Sequence, residues 1–206
     1  MMGEATVTAV PDRAIVSGGV ISDAATASEA LEANAKAMSQ VFASLKQLGI
    51  PERAIQTTSY SLDPQHPPYN EKTGLSSKII GYRVTNEVQI KLDDIGRAGP
   101  ALDALIESGA NESAGVSFSI KDPKALERQA RSEAGRDALD RAETYAKSVG
   151  AQLGRVRSIR EGLVTAPIED NVENVVVTAE RRPAATPIAA GEQSVSAQVT
   201  VVWELK

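Results

Sequence analysis

A chain of 206 residues slightly exceeds one typical domain and is too short for two large ones. Its net charge of −5, with both signs interspersed, argues against a nucleic-acid partner, and the lack of cysteine excludes disulfides, thiolate metal sites, iron–sulfur clusters and cysteine nucleophiles. Hydrophobic residues reach 42% but aromatics only 3%, so the core must come from Ala, Val, Ile and Leu, and no apolar run approaches the ~18 residues of a membrane-spanning helix.

Met1-Met2-Gly3 reads equally as a start placed after removal of an export leader and as the start of a cytosolic chain. Pro11-Asp12 opens a buried strand running through Ala14-Ile15-Val16 to Val20-Ile21, where Gly18-Gly19 points to a bulge or a close backbone approach. Thr26 and Glu29 have capping-box spacing. Behind them Ala30, Leu31, Asn34, Met38, Val41 and Leu45 mark one face of a helix that Gly49 and Pro51 stop. Ile55 to Leu62 reads as a strand, and residues 63–77, with four of the prolines and glycines, as a long loop. From Ile80 to Leu92 apolar and polar residues alternate, giving a long strand with one wet face that Asn86 interrupts. A helix from about Arg97 to Ser108 and a short strand from Val116 to Ile120 follow.

Asp122-Pro123 starts a long helix that ends at Gly150. Its inner face is expected to carry Ala130, Ala134, Ala138, Ala142 and Ala146, with Leu126, Tyr145 and Val149. Arg155 to Leu163 reads as a strand, residues 164–193 as a second long loop, and Val195 to Leu205 as a second long alternating strand. Strand, helix, strand, loop and long strand thus occur twice, at about 12–93 and 113–206. The expected fold is α+β: two β-α-β-β units sharing one mainly antiparallel sheet, with two long helices packed on one face, in a single domain over 1–206.

Chemistry-bearing motifs are sparse. His66 is the single histidine, so a multi-histidine metal site is excluded, and it reads as an exposed loop residue rather than a base. Neither a Gly-x-Ser-x-Gly elbow nor a phosphate-cradling glycine loop occurs. Asp93-Asp94 more simply caps a helix than pairs for glycoside hydrolysis. Glu169-Asp170-Asn171 with Glu173 and Asn174 lacks the spacing of a calcium loop and reads as a solvated segment. Arg155, Arg157 and Arg160 form the densest basic cluster, expected as the charged face of an edge strand rather than as a contact for an acidic neighbour or an anionic lipid head group. Asn34 and Asn86 interrupt apolar faces and are expected as satisfied core or interface amides. The residues left as partner contacts are the extended Pro64, His66, Pro67, Pro68 and Tyr69, together with Arg181 and Arg182 of the second loop. No catalytic, cofactor-binding or metal-binding residue is expected.

Several blocks together resemble SIMPL-domain proteins: Gly3-Glu4-Ala5, Pro11-Asp12-Arg13-Ala14, Leu48-Gly49-Ile50, Ile80-Gly81-Tyr82, Asn86-Glu87-Val88, Gly115-Val116-Ser117-Phe118, Asp137-Ala138 with Arg141-Ala142, and the closing strand from Val195 to Trp203. The resemblance spans nearly the whole chain. It implies an exported bacterial protein of the periplasm, with outer-membrane or envelope association and immunogenic relatives. It also implies no catalytic motif, no cofactor and self-association into homo-oligomers, one branch of the family being ring- or channel-like. The alternative it implies is a periplasmic stress-protective protein, active against oxidative stress or chaperone-like, that binds a ligand or client. The small-molecule ligand is not identified by either reading.

Overall fold

The computed structural model describes residues 1–68, 78–165 and 188–206. Its elements in chain order are β1 (Met2–Ala9), β2 (Arg13–Ala24), α1 (Ala27–Gln47), β3 (Ile55–Gln65), β4 (Gly81–Leu92), α2 (Ala98–Glu107), β5 (Gly115–Ser119), α3 (Pro123–Ser148), β6 (Leu153–Thr165) and β7 (Gln193–Leu205). The α+β class and the antiparallel pairing of the long strands stand. The single shared sheet does not: the strands form a three-stranded sheet, β1-β7-β6, and a four-stranded sheet, β3-β4-β2-β5. The reason is edge availability. β7 is taken on both sides by β1 and β6, and β4 by β2 and β3, so neither long strand has an edge left to join the other.

Two compact units result. Among the described residues, one comprises 1–12, 119–165 and 190–206, and the other mainly 13–118. The repeat survives with one exchange of parts. β5, expected to open the second repeat, lies beside β2, and the unpredicted β1 opens it instead. Each unit then has the same plan: a first strand, a helix, a middle strand and a last strand, with the last strand central. The orders are β2-β4-β3 and β1-β7-β6.

The larger unit buries Val16 and Val20 of β2, Met38, Val41 and Leu45 of α1, Val84, Val88 and Ile90 of β4, and Leu105 of α2. The predicted capping box forms: Thr26 Oγ1 accepts from the Glu29 N–H, and a Glu29 carboxylate oxygen accepts from the Thr26 N–H. Of the two readings of Gly18-Gly19, close approach is the one realised. The β2–β4 register runs through without a bulge, and a Cβ on Gly18 would stand 3.2 Å from Leu105. All three helices stop as the glycines suggested. Gly49, Gly109 and Gly150 have positive φ, and the N–H groups of each glycine and of the residue after it bond back into the last turn, as in Gly49 to Lys46 O (2.9 Å) and Ile50 to Leu45 O (3.0 Å).

The smaller unit is built on the alanine stripe of α3. Ala130, Ala134, Ala138, Ala142 and Ala146 are all buried, and their short side chains let β1 lie directly on the helix backbone. Tyr145 and Val149, expected inside, are 60% and 71% exposed. A stripe advancing four residues at a time winds around a helix of 3.6 residues per turn, so by the last turn these two stand about a quarter turn off it. The same helix also covers the edge of β1. Asp137 accepts the Glu4 N–H (2.9 Å), and Arg141, paired with Asp137 at 3.1 Å, donates to Met2 O (3.3 Å). Since Met1 exchanges hydrogen bonds with Val201 of β7, the alternating Met2 and Glu4 groups face outward, and the two motif side chains satisfy them. Asp137→Ala is therefore expected to cost about 1–2 kcal/mol. Faster hydrogen exchange at the Glu4 amide would check it, and unchanged exchange there would show that the contact does not hold the strand.

Candidate functional site

The two units share one irregularity: each helix covers two strands and leaves the third bare. In the smaller unit α3 packs on β1 and β7. Val156 and Ile159 of β6 are in register with Trp203 and Val201, so they stand on the helix-facing side of the sheet, yet they are 47% and 67% exposed. A groove of about 510 Å³ runs between α3 and β6, lined by Leu139, Val156, Ile159, Val199, Val201 and Trp203. Its polar end is the ion pair of Arg131 with Glu161, to which Glu127 adds a second carboxylate at 3.3 Å. The Glu161 hydrogen bond is the main reason the Arg131 guanidinium holds its proton above the usual range.

In the larger unit α1 packs on β2 and β4. Tyr60 and Leu62 of β3, in register with Asn86 and Val84, face the helix side and are 58% and 40% exposed. A groove of about 440 Å³ lies here too, between Phe42 and Lys46 of α1 and Ile55 and Thr57 of β3. Bare apolar strands of this length are unusual on a surface with no partner.

The far faces of the bare strands differ in charge. On β6, Arg155 (2.9 Å) and Arg157 both bind Glu204 of β7, and Arg160 lies in register with the exposed Thr200. The expected edge-strand position of this cluster is thus present, and the cluster has an acidic neighbour as well. On β3 the outward residues Ser59, Ser61 and Asp63 lie opposite Glu87, Thr85 and Arg83 of β4. Asp23 and Arg83 close on each other at 2.8 Å. That hydrogen bond is the main reason the Asp23 carboxyl is held below the usual range.

Among the proposed contact residues, Pro64 is exposed within β3, which runs to Gln65 rather than ending at Leu62. Proline is tolerated there because β3 is an edge strand and Pro64 sits at one of its outward positions. His66 and Pro68 are exposed and Pro67 half-buried just beyond the strand. Tyr69, Arg181 and Arg182 lie outside the described residues, as do Glu169, Asp170, Asn171, Glu173 and Asn174. Asp94 caps a short 3-10 turn by accepting the Gly96 N–H (3.0 Å), and Asp93 pairs with Arg13 (3.2 Å). No described helix is long and apolar enough to cross a membrane.

Sequence reasoning missed the bare residues Tyr60, Leu62, Val156 and Ile159. The one signal was short: Ala5 and Val7 alternate with Thr6 and Thr8, which is a strand pattern. Recognising that strand would have assigned the cover of α3 to β1 and β7, leaving none for β6.

The family model described as SIMPL, a protein of unknown function (DUF541), matches residues 1–203. The chain is 33% identical over 208 residues to the 26 kDa periplasmic immunogenic protein of Brucella melitensis, covering 99% of this chain and 83% of that one. It is 30% identical over 159 residues to the uncharacterized protein YggE of Edwardsiella ictaluri, covering 77% and 65%. To YggE of Escherichia coli K12 it is 29% identical over 161 residues, covering 77% and 63%.

Proposed function

Because the chain belongs to the SIMPL family, we propose that it is a non-enzymatic assembly module of the bacterial envelope, periplasmic like its Brucella relatives, that associates with further copies of itself. The observation that carries this is the pair of bare apolar strands, β3 and β6, one per unit. Leaving large apolar side chains in water forgoes roughly 1.5–3 kcal/mol for each that could be fully buried, and association recovers part of it. Two different sticky surfaces on one chain favour a head-to-tail contact, which closes into a ring or runs on as a filament, over a two-fold dimer.

Light scattering behind size-exclusion chromatography tests the reading. The full chain at tens of micromolar is expected to run as a discrete multiple of the monomer mass, and the double variant Leu62→Lys/Ile159→Lys as a monomer. Both positions are exposed, so the fold is expected to tolerate the lysines. A monomeric parent chain sinks the proposal.

A further inference from the structure

Resting on the self-association reading, the geometry points to a specific contact: the free edge of β3 in one copy pairs antiparallel with the free edge of β6 in the next, joining their sheets, with Leu62 opposite Ile159. Among the described residues both strands are sheet edges. The ladder alternation decides which backbone groups are free. The Asn111 side chain accepts the Ile21 N–H (2.7 Å) and donates to Ile21 O (2.9 Å), so Val20 and Ser22 turn toward β4. It follows that Ser59, Ser61 and Asp63 bond to β4, while Tyr60 and Leu62 present their N–H and C=O groups to the free edge. On the other sheet, Met1 takes Val201, so the even residues of β7 serve β6 and Ile159 faces its free edge. The residues with free backbone groups are therefore the ones carrying the bare apolar side chains.

The two faces of such a joint match. On the helix side, Leu62 would meet Ile159, with Tyr60 diagonal to Ile159 and opposite Glu161, and Val156 lying toward Pro64. On the far side, β6 and its neighbour bring three guanidinium groups against one carboxylate, Glu204, whereas β3 and its neighbour bring Asp63 and Glu87 with one guanidinium, Arg83, which Asp23 already holds at 2.8 Å. With Leu62 opposite Ile159, Asp63 falls beside Ser158, in reach of Arg157 and Arg160, because diagonal cross-strand neighbours lie about 7–8 Å apart. A β6–β6 contact would instead crowd arginines together. Pro64, which has no N–H to give at its outward position, limits the usable edge of β3 to the stretch before it.

The chain contains no cysteine, so introduced thiols are the only ones. Opposed residues of a hydrogen-bonded antiparallel pair have Cα atoms about 5.5 Å apart, inside the disulfide window. Leu62→Cys and Ile159→Cys are prepared separately, with an affinity tag of different size on each, then mixed and mildly oxidised. The expected product is the mixed disulfide, with only background linking in each variant alone. Asp63→Arg in the Leu62→Cys chain is expected to remove most of that product, and Arg157→Glu in the Ile159→Cys chain to restore it. Self-linking of Ile159→Cys as strong as the mixed product overturns the β3–β6 contact, and so does absence of the mixed product from chains that light scattering finds oligomeric. In both cases self-association itself stands. Monomeric chains by light scattering overturn both.

Discussion

Gly3→Ala is expected to destabilise the smaller unit severely. A Cβ at position 3 would run into Ala134 O and Ala138 N. Both are backbone atoms in the middle of a helix, so no side-chain rotation relieves the clash. Either β1 lifts off α3 or the helix bends. Lifting strips β1 from β7, from Met2–Thr200 to Ala9–Gln193, and frees Asp137 and Arg141 from the strand edge. Overpacking typically costs 1–3 kcal/mol, and a backbone clash belongs at or above the upper end, so a loss of about 3 kcal/mol is expected. At roughly 2–4 °C per kcal/mol for a chain this long, the melting midpoint of this unit should fall by about 6–12 °C. Gly135→Ala is the control on the same helix. Its Cβ would meet nothing within 4 Å, and exchanging a helical glycine for alanine should raise stability by about 0.5–1 kcal/mol. Thermal unfolding followed by circular dichroism reads both. Equal midpoints for the two variants would mean that β1 does not rest on α3.

This contact also marks where the sequence was legible. Elements with a strong period or a chemical punctuation mark were found within a few residues: α1 through Thr26 and Glu29, the helix ends through Gly49, Gly109 and Gly150, and β4 and β7 through strict alternation. β1 has only Ala5 and Val7 as its apolar side, too small a signal to stand out, and its defining residue is a glycine whose role is to be absent as a side chain. The sheet count followed from that omission, since a strand left out of the reading leaves the β7 edge apparently open. The bare strands were illegible for a related reason. Val156 and Ile159 look like ordinary core residues, and only the distance of α3 from β6 makes them exposed. Their odd spacing reflects irregularities in β6, where the register shifts around Val156. The arginine cluster, by contrast, was readable as an edge strand because charge on an edge has few other uses.

Asn34→Asp should destabilise the larger unit in a way that depends on pH, because position 34 combines full burial with a one-sided hydrogen-bonding environment. Asn34 is 1% exposed, on the face of α1 that meets β2 and β4. Its Nδ2 donates to Val20 O (2.9 Å) and stands 3.4 Å from Val84 O, while its Oδ1 is buried without a hydrogen-bond partner among the described residues. An ionised aspartate here would turn lone pairs toward two carbonyl oxygens and lose its water, a penalty of about 3 kcal/mol or more. The protonated acid avoids this, since its O–H can donate to Val20 O as Nδ2 does. The folded-state pKa is therefore raised above the unfolded value of about 3.9. For a raised acid pKa, the variant keeps its stability below the unfolded value and loses it as pH climbs toward the folded one, by up to about 1.4 kcal/mol per pH unit. Urea unfolding of parent and variant at matched pH should give nearly equal stability near pH 4 and a gap of about 3 kcal/mol or more near pH 7. Parallel curves across that range would mean that the side chain reaches water and that the amide does not lock α1 to its sheet. A gap that opens with pH would identify Asn34 as the buried fastener of this unit, set where Val20 and Val84 each turn a carbonyl toward the helix.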